Sequence, residues 1–391
     1  MSKGSGGQSS SAIGSAATLP VEGVGSIAQK TGSHGSVTWV TLEHMSAPVT
    51  QSRPEATEMR LVRVDPRDRA AVTASVDLQN AAQRIDDPDN HPGIPELAAG
   101  WLEFGWDLEP DERYLYLAEG SDEPVAVFEV QLPNRDNRHL VWGSIVVHPD
   151  HRRLGHGSAL VGELVRRAEE SGRTTIWLGC AEDDLGARAF LEAHGFHYAS
   201  HDARRKQILA EVDHEAIERL HAQATEAAAD YLLERLVPPV PDEVLEQLVE
   251  VTAAINDAPM GDLTFEDEVF DLARLRDIEA ARKGRGDRLY RIAARHRETG
   301  VIGGHTVVGL HPLDPTHAGQ GDTAVHRDHR GHRLGLLLKI EMMRWLAEAE
   351  PQIAEIVTWN NADNRYMIDV NEAIGYRLSR VFAMYERTLG S

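Results

Sequence analysis

Two stretches of the chain, 178 positions apart, follow one plan: "VVHPDHRRLGHGSALV" at residues 146–161 and "AVHRDHRGHRLGLLLK" at residues 324–339. Each closes an apolar run, passes through a basic loop carrying glycine, and opens a helix with an apolar face. A chain that makes this joint twice must build the same supersecondary unit twice. The spacing downstream agrees. Arg152 lies 43 residues before Gly195 and Arg330 lies 45 before Gly375, while Asp184 and Asn364 each stand 11 residues before those glycines. With 391 residues, more than one ordinary core holds, the chain reads as two α+β domains of one design. They are expected at 59–228 and 229–391, joined near 213–230, with residues 1–58 as an N-terminal extension.

The elements repeat in order. "MRLVRV" from Met59 is a strand, and a helical region runs to Trp106 around the loop "DDPDNHPGIP". "RYLYLAEG" and "PVAVFEVQL" alternate as a hairpin across a Ser-Asp-Glu turn, and "HLVWGSIVV" is a third strand. A helix from Ser158, the buried strand "TTIWLGCA", the helix "GARAFLEAHGF" and a strand to about Val212 complete the first half. The second half opens with "YLLERLVPPVP", a helix, the acidic loop "APMGDLTFEDEVF" and another helix. A hairpin follows across "RETG", then the short strand "GDTAV", the second basic loop, a helix stopped by Pro351, the strand "IAEIVTW" and a helix ending at Gly375.

Composition removes several classes. No run reaches the 18 apolar residues of a membrane helix, and a net charge of −22 opposes general nucleic-acid binding. One cysteine, Cys180, allows no internal disulfide and fits a reducing cytoplasm; inside an apolar strand it reads as core. The Gly/Ser-rich start reads as disordered and lacks a signal peptide's basic start and apolar core. Met45 and Met59 are alternative starts, and residues before Met45 are expected to be dispensable.

The basic loops carry the chemistry. Backbone N–H groups at the start of a helix seat phosphate, and Arg152 and Arg153 bring charge to the place where it would sit. The pattern is neither a Walker A loop nor the dinucleotide fingerprint, since Leu160 stands where the third glycine belongs. Arg152-Arg153-Leu154-Gly155-His156-Gly157 resembles the acyl-CoA loop of the Gcn5-related N-acetyltransferase superfamily, Gln/Arg-x-x-Gly-x-Gly/Ala. "GARAFLEAHGF" is similar to that superfamily's later helix. In the second half Arg330-Gly331-His332-Arg333-Leu334-Gly335 departs at Arg333, while Asn364, Met367, Asn371 and Gly375-Tyr376 restore the likeness. The resemblance covers residues 59–390 and implies a three-layer α/β/α fold with mixed, mainly antiparallel sheets.

That resemblance further implies direct acyl transfer from acetyl-CoA, or another acyl-CoA, to an amine. Backbone N–H groups from Arg153 to Ser158 would hold the pyrophosphate, with Gly331 to Leu336 serving the second half. The N–H near Val147 or Val325 would polarise the thioester carbonyl. The superfamily's tyrosine acid is replaced by Leu191 and Asn371, and its glutamate base falls at Val141 and Gly319. Glu129, His139, Asp322 and Tyr385, near strand ends, are the remaining candidates for proton transfer. The loop histidines lack a zinc-ligand spacing, so no metal is expected. The acidic loop reads either as a solvated face or as a lining of the second half's acceptor cleft. The second half is favoured for chemistry. A small amine, an antibiotic and a protein N-terminus all fit as acceptor, with no DNA or membrane partner. Two rivals remain: an acyl-CoA-binding protein without turnover, and a transferase fed by aminoacyl-tRNA.

Overall fold

The computed structural model describes residues 60–390 apart from Glu119 and Ser121; the expected extension at 1–58 and part of the first hairpin turn lie outside them. The chain runs β1 (Arg60–Arg63), α1 (Arg69–Asp86), α2 (Pro95–Phe104), β2 (Glu112–Leu117), β3 (Pro124–Gln131), β4 (Leu140–Val147), α3 (His156–Glu170), β5 (Thr175–Ala181), α4 (Leu185–Ala193) and β6 (His197–Ile208). It continues through α5 (His214–Ala227), β7 (Tyr231–Leu236), α6 (Asp242–Ala253), α7 (Leu272–Arg285), β8 (Arg288–His296), β9 (Ile302–His311), β10 (Asp314–Val325), α8 (Leu334–Ala349), β11 (Glu355–Asn361), α9 (Arg365–Ala373) and β12 (Arg377–Thr388). The caps are local chemistry: Asp68, Asp184, Asp213, Asp271 and Asn364 each accept from N–H groups in the first turn of α1, α4, α5, α7 and α9.

All twelve strands join one sheet, in the order β1-β2-β3-β4-β5-β12-β6-β11-β10-β9-β8-β7. The last strand of each half crosses over. β12 lies between β5 and β6, and β6 lies between β12 and β11, so each half is completed by a strand of the other. Helices cover both faces. α3 and α4 pack Leu160, Leu164 and Leu191 against the first half, while α6 and α7 pack Leu245, Leu248 and Leu275 against the second.

Two expectations are corrected, and the acidic loop finds its place. The joint at 213–230 is largely the helix α5, whose Ile217 and Ala224 enter the second half's core. β10 begins at Asp314, seven residues before "GDTAV", in a stretch whose Pro, His and Gly hide any alternation. The acidic loop spans both halves: Glu268 pairs with Arg274 of α7 (3.2 Å), while Phe265 stacks on Trp177 with ring centroids 5.8 Å apart and Thr264 N–H donates to Glu386 (2.8 Å). Asn137 ties down the same loop, donating to the Glu266 carbonyl (3.0 Å) and accepting from its N–H (2.7 Å).

Candidate active site

A gap opens in the sheet within each half. β4 and β5 pair in parallel only over Leu140–Trp142 opposite Thr175–Trp177, then part. β10 and β11 do the same beyond Gly319 and Val357. Sheet register fixes which way the backbone faces there. His148 N–H donates to the Val125 carbonyl beside the Ala126–Val147 pair, which makes that pair a non-hydrogen-bonded one. Val147 therefore turns its N–H and C=O away from β3 and into the gap. His326 N–H donates to Gly303 beside the Gly304–Val325 pair, so Val325 is turned the same way.

At the mouth of each gap stands the basic loop, and the two loops share a backbone shape. In the first, Arg153 (φ 64°) and Gly155 (φ 88°) are left-handed; in the second, Gly331 (φ 87°) and Arg333 (φ 53°) are. The glycine has changed places, but both left-handed positions are kept. Arg333 thus departs from the motif while holding the conformation of Gly155, at the cost of strain that a glycine avoids. Its guanidinium donates to Gln223 of α5 (2.8 Å).

The first helical N–H to find a backbone acceptor is Ala159 in α3, on Gly155, and Leu337 in α8, on Arg333. Those of Arg153–Ser158 and Gly331–Leu336 have none among the described residues, as the start of a helix requires. Each gap with its loop therefore offers a row of unmet N–H groups leading to a valine N–H. A pyrophosphate and an extended amide chain of CoA fit that arrangement.

Side chains at the loops are less available than their sequence suggests. Arg152, expected on phosphate, is turned inward: it donates to the Val147 carbonyl (3.2 Å) and to both Asp86 oxygens (2.9 and 2.6 Å). Arg330 repeats this on the Val325 carbonyl (3.1 Å) and Asp257 (2.5 Å). Both arginines lock the loop to its own strand, leaving the valine N–H as the group for a ligand. Of the remaining loop side chains, Leu154 is exposed, His156 lies edge-on to Tyr116, His332 lies against Tyr231, and Leu334 and Leu336 enter the core. Ser158 meets His194 across 3.0 Å, and Asn364 caps α9 by accepting from Met367 N–H (3.2 Å). Among the described residues no group of three or more His, Cys, Asp or Glu could hold a metal ion.

The four proton-transfer candidates separate. His139 precedes β4, at the end far from the gap, with Nε2 3.2 Å from the Thr264 carbonyl; it is an anchor of the acidic loop. Glu129 accepts from Arg113 (2.5 Å) in a buried cross-strand pair and from Gln79 (3.4 Å). Tyr385 belongs to β12 yet lies in the first half's core, its hydroxyl accepting from Arg188 and donating to Glu192 of α4 (3.2 Å each). Cys180, with its thiol pushed up to about 12 by burial, is core.

Asp322 is placed differently. It sits where β10 slips register against β9, between Gln320 and Thr323, three residues before Val325. Such bulges re-aim side chains. Burial and the nearby Glu268 carboxylate push its carboxyl up to about 6 against the pull of Arg282 and Arg291, and its Oδ1 has no hydrogen-bond partner among the described residues. Around it stand groups that sequence reasoning missed. Arg291 of β8 has unmet Nε and Nη1, Arg282 of α7 an unmet Nε, and His305 of β9 two unmet ring nitrogens. Burial holds Arg282 down to about 10 and, with Arg291 nearby, His305 at about 3. Only the pairing of distant strands brings these groups together; in the sequence each reads as an ordinary strand or helix residue. A cavity of about 290 Å³, lined by Trp106, Asn134 and Arg274 among others, lies at the opposite end of β3 and β4 from the gap.

Comparison with known proteins agrees with this geometry. Residues 80–196 match a family model described as the acetyltransferase (GNAT) family. The [ribosomal protein bS18]-alanine N-acetyltransferase of Escherichia coli K12 is 31% identical over 100 residues, which are 26% of this chain and 66% of that relative. The chain thus spans just under two thirds of that protein. The mycothiol acetyltransferase of Saccharomonospora viridis is 28% identical over 249 residues, 62% of this chain and 72% of the relative. Among solved structures, a tandem GNAT protein from the clavulanic acid biosynthesis pathway superposes with TM-score 0.70 at 26% identity, over 85% of this chain and 99% of that one. A GCN5-related N-acetyltransferase from Sphaerobacter thermophilus, at 16% identity and TM-score 0.62 over 84% and 95%, shares the fold.

Proposed function

We propose that the chain is a tandem member of the Gcn5-related N-acetyltransferase superfamily, and that it transfers an acetyl or related acyl group from an acyl-CoA to an amine. The observation that carries this reading is the repeated joint: a valine N–H turned into a strand gap, continuous with a loop of unmet N–H groups. We place the chemistry in the second half, which also holds a desolvated carboxylate, Asp322, beside the gap.

Acetyl-CoA supplies the acyl group as a thioester, whose C–S bond breaks as the acceptor nitrogen forms the new C–N bond. Gly331–Leu336 hold the pyrophosphate through their N–H groups. Val325 N–H donates to the thioester carbonyl oxygen as negative charge builds there. Asp322 accepts the proton of the incoming ammonium, a task suited to a carboxyl near pH 6. The second proton leaving nitrogen goes to sulfur, giving an amide and a thiol. In the first half, Arg153–Ser158 and Val147 repeat the CoA site, but the Arg113–Glu129 pair closes the acceptor side. We assign that half to binding and support. The single cysteine suits the reducing cytoplasm in which we place the protein.

The test is release of free CoA thiol from acetyl-CoA over a panel of amines, with products identified by mass. Acceptor-dependent thiol release with a matching N-acetyl product supports the reading. Tight acetyl-CoA binding without acetylation of any amine tried replaces it with the non-catalytic alternative.

A further inference from the structure

The internal repeat supplies its own control for the acceptor site. Leu115 of β2 pairs with Val127, and Val127 with Val146; Ala293 of β8 pairs with His305, and His305 with Ala324. Arg113 and Arg291 therefore occupy the same place in their two halves. Across the strand pair Arg113 faces Glu129, whereas Arg291 faces Val307. The first arginine is satisfied: its Nε donates to Glu129 (2.5 Å) and its Nη1 to Ser75 (3.3 Å). The second keeps unmet Nε and Nη1 while only 5% exposed. Glu279 and Asp322 are its nearby opposite charges, yet neither hydrogen-bonds those two nitrogens.

A buried guanidinium without hydrogen-bond partners is costly, and the cost is removed by an anion that completes it. The unmet Nε–H and Nη1–H of Arg291 lie on different edges of its guanidinium, so a ligand carboxylate accepts from one of them as a single charge-assisted bond. Arg282 brings a further unmet Nε from α7, and Asp322 an unmet oxygen from β10. One ligand that carries an ammonium and a carboxylate satisfies all three.

We propose, resting on the transferase reading above, that the second half's acceptor is an amine that also bears a carboxylate: the carboxylate seats on Arg291 and Arg282, and the amine faces Asp322. Replacement of the cross-strand glutamate by Val307 is what frees Arg291 for a ligand carboxylate.

The experiment compares acceptors in matched pairs, glycine, L-alanine, β-alanine and 4-aminobutanoate against their amides, with full-length wild type and Val307→Glu. At least one acid is expected to exceed its amide by about 100-fold or more in kcat/KM, because the amide leaves the buried guanidinium unpaired. Val307→Glu recreates the first half's closed pair and should abolish that preference while acetyl-CoA affinity stays unchanged. Acetylation of the amides as well as the acids in wild type, or a preference that survives Val307→Glu, overturns the proposal and leaves the transferase reading standing. Acetyl-CoA binding with no acetylation in any pair overturns it also. Failure of wild type to bind acetyl-CoA overturns the transferase reading itself.

Discussion

At the scale of the residue, position in space decides roles that residue type leaves open. Arg152 and Arg330 are legible as a motif, but their work is internal: each satisfies a valine carbonyl and a carboxylate. Asp322 is the opposite case, a half-buried strand residue that we propose as the base. Its carboxyl is raised to about 6, so the ionised base is present above that pH and lost below it. With an acceptor in hand, kcat/KM is predicted to fall about tenfold per pH unit below 6. Asp322→Asn should cost about 100-fold or more and remove that limb. A profile that keeps its limb in Asp322→Asn would assign the proton to another group. Arg291 is not legible because nothing local distinguishes it from its counterpart Arg113, nor His305 because it stands where the first half has an ordinary strand residue, Val127. Only the register of β8, β9 and β10 sets them apart.

At the scale of the element, the repeat predicted most strands and helices because alternation and helical periodicity survive in both copies. β10 reads short because "DPTHAGQ" carries no alternation, and α5 reads as a joint because few of its residues, Ile217 and Ala224 among them, are buried. Charge alone does not place the acidic loop: Glu268 pairs with Arg274 of the second half, while the other anchors are apolar and polar contacts with the first. Phe265 is half-buried against Trp177, and Trp177 Nε1 donates to Glu386 (2.8 Å), which also holds Thr264. Phe265→Ala should therefore lower unfolding stability by about 1–3 kcal/mol, read as a shifted denaturant midpoint, without changing acetyl-CoA affinity. An unchanged midpoint would mean that the loop is held elsewhere.

At the scale of the whole molecule, sequence suggested two units and the sheet joins them. β12 completes the first half's strand order and β6 the second's, while Arg204 of β6 pairs with Asp87 after α1 (2.6 and 2.9 Å). Strand exchange is invisible to periodicity, because β6 and β12 have the same pattern wherever they pair. Calorimetric unfolding should therefore show one cooperative transition; two separated transitions would show halves that fold independently. The exchange also fixes the two gaps within one sheet, which gives each half a gap and loop of the same construction. The most direct measurement is calorimetric titration of acetyl-CoA into wild type, Gly155→Glu and Gly331→Glu. Both glycines are left-handed, and a side chain at either points into open space beside the loop. Two sites in wild type, one lost in each variant, is the predicted result; no binding in wild type, or full binding in both variants, would contradict it.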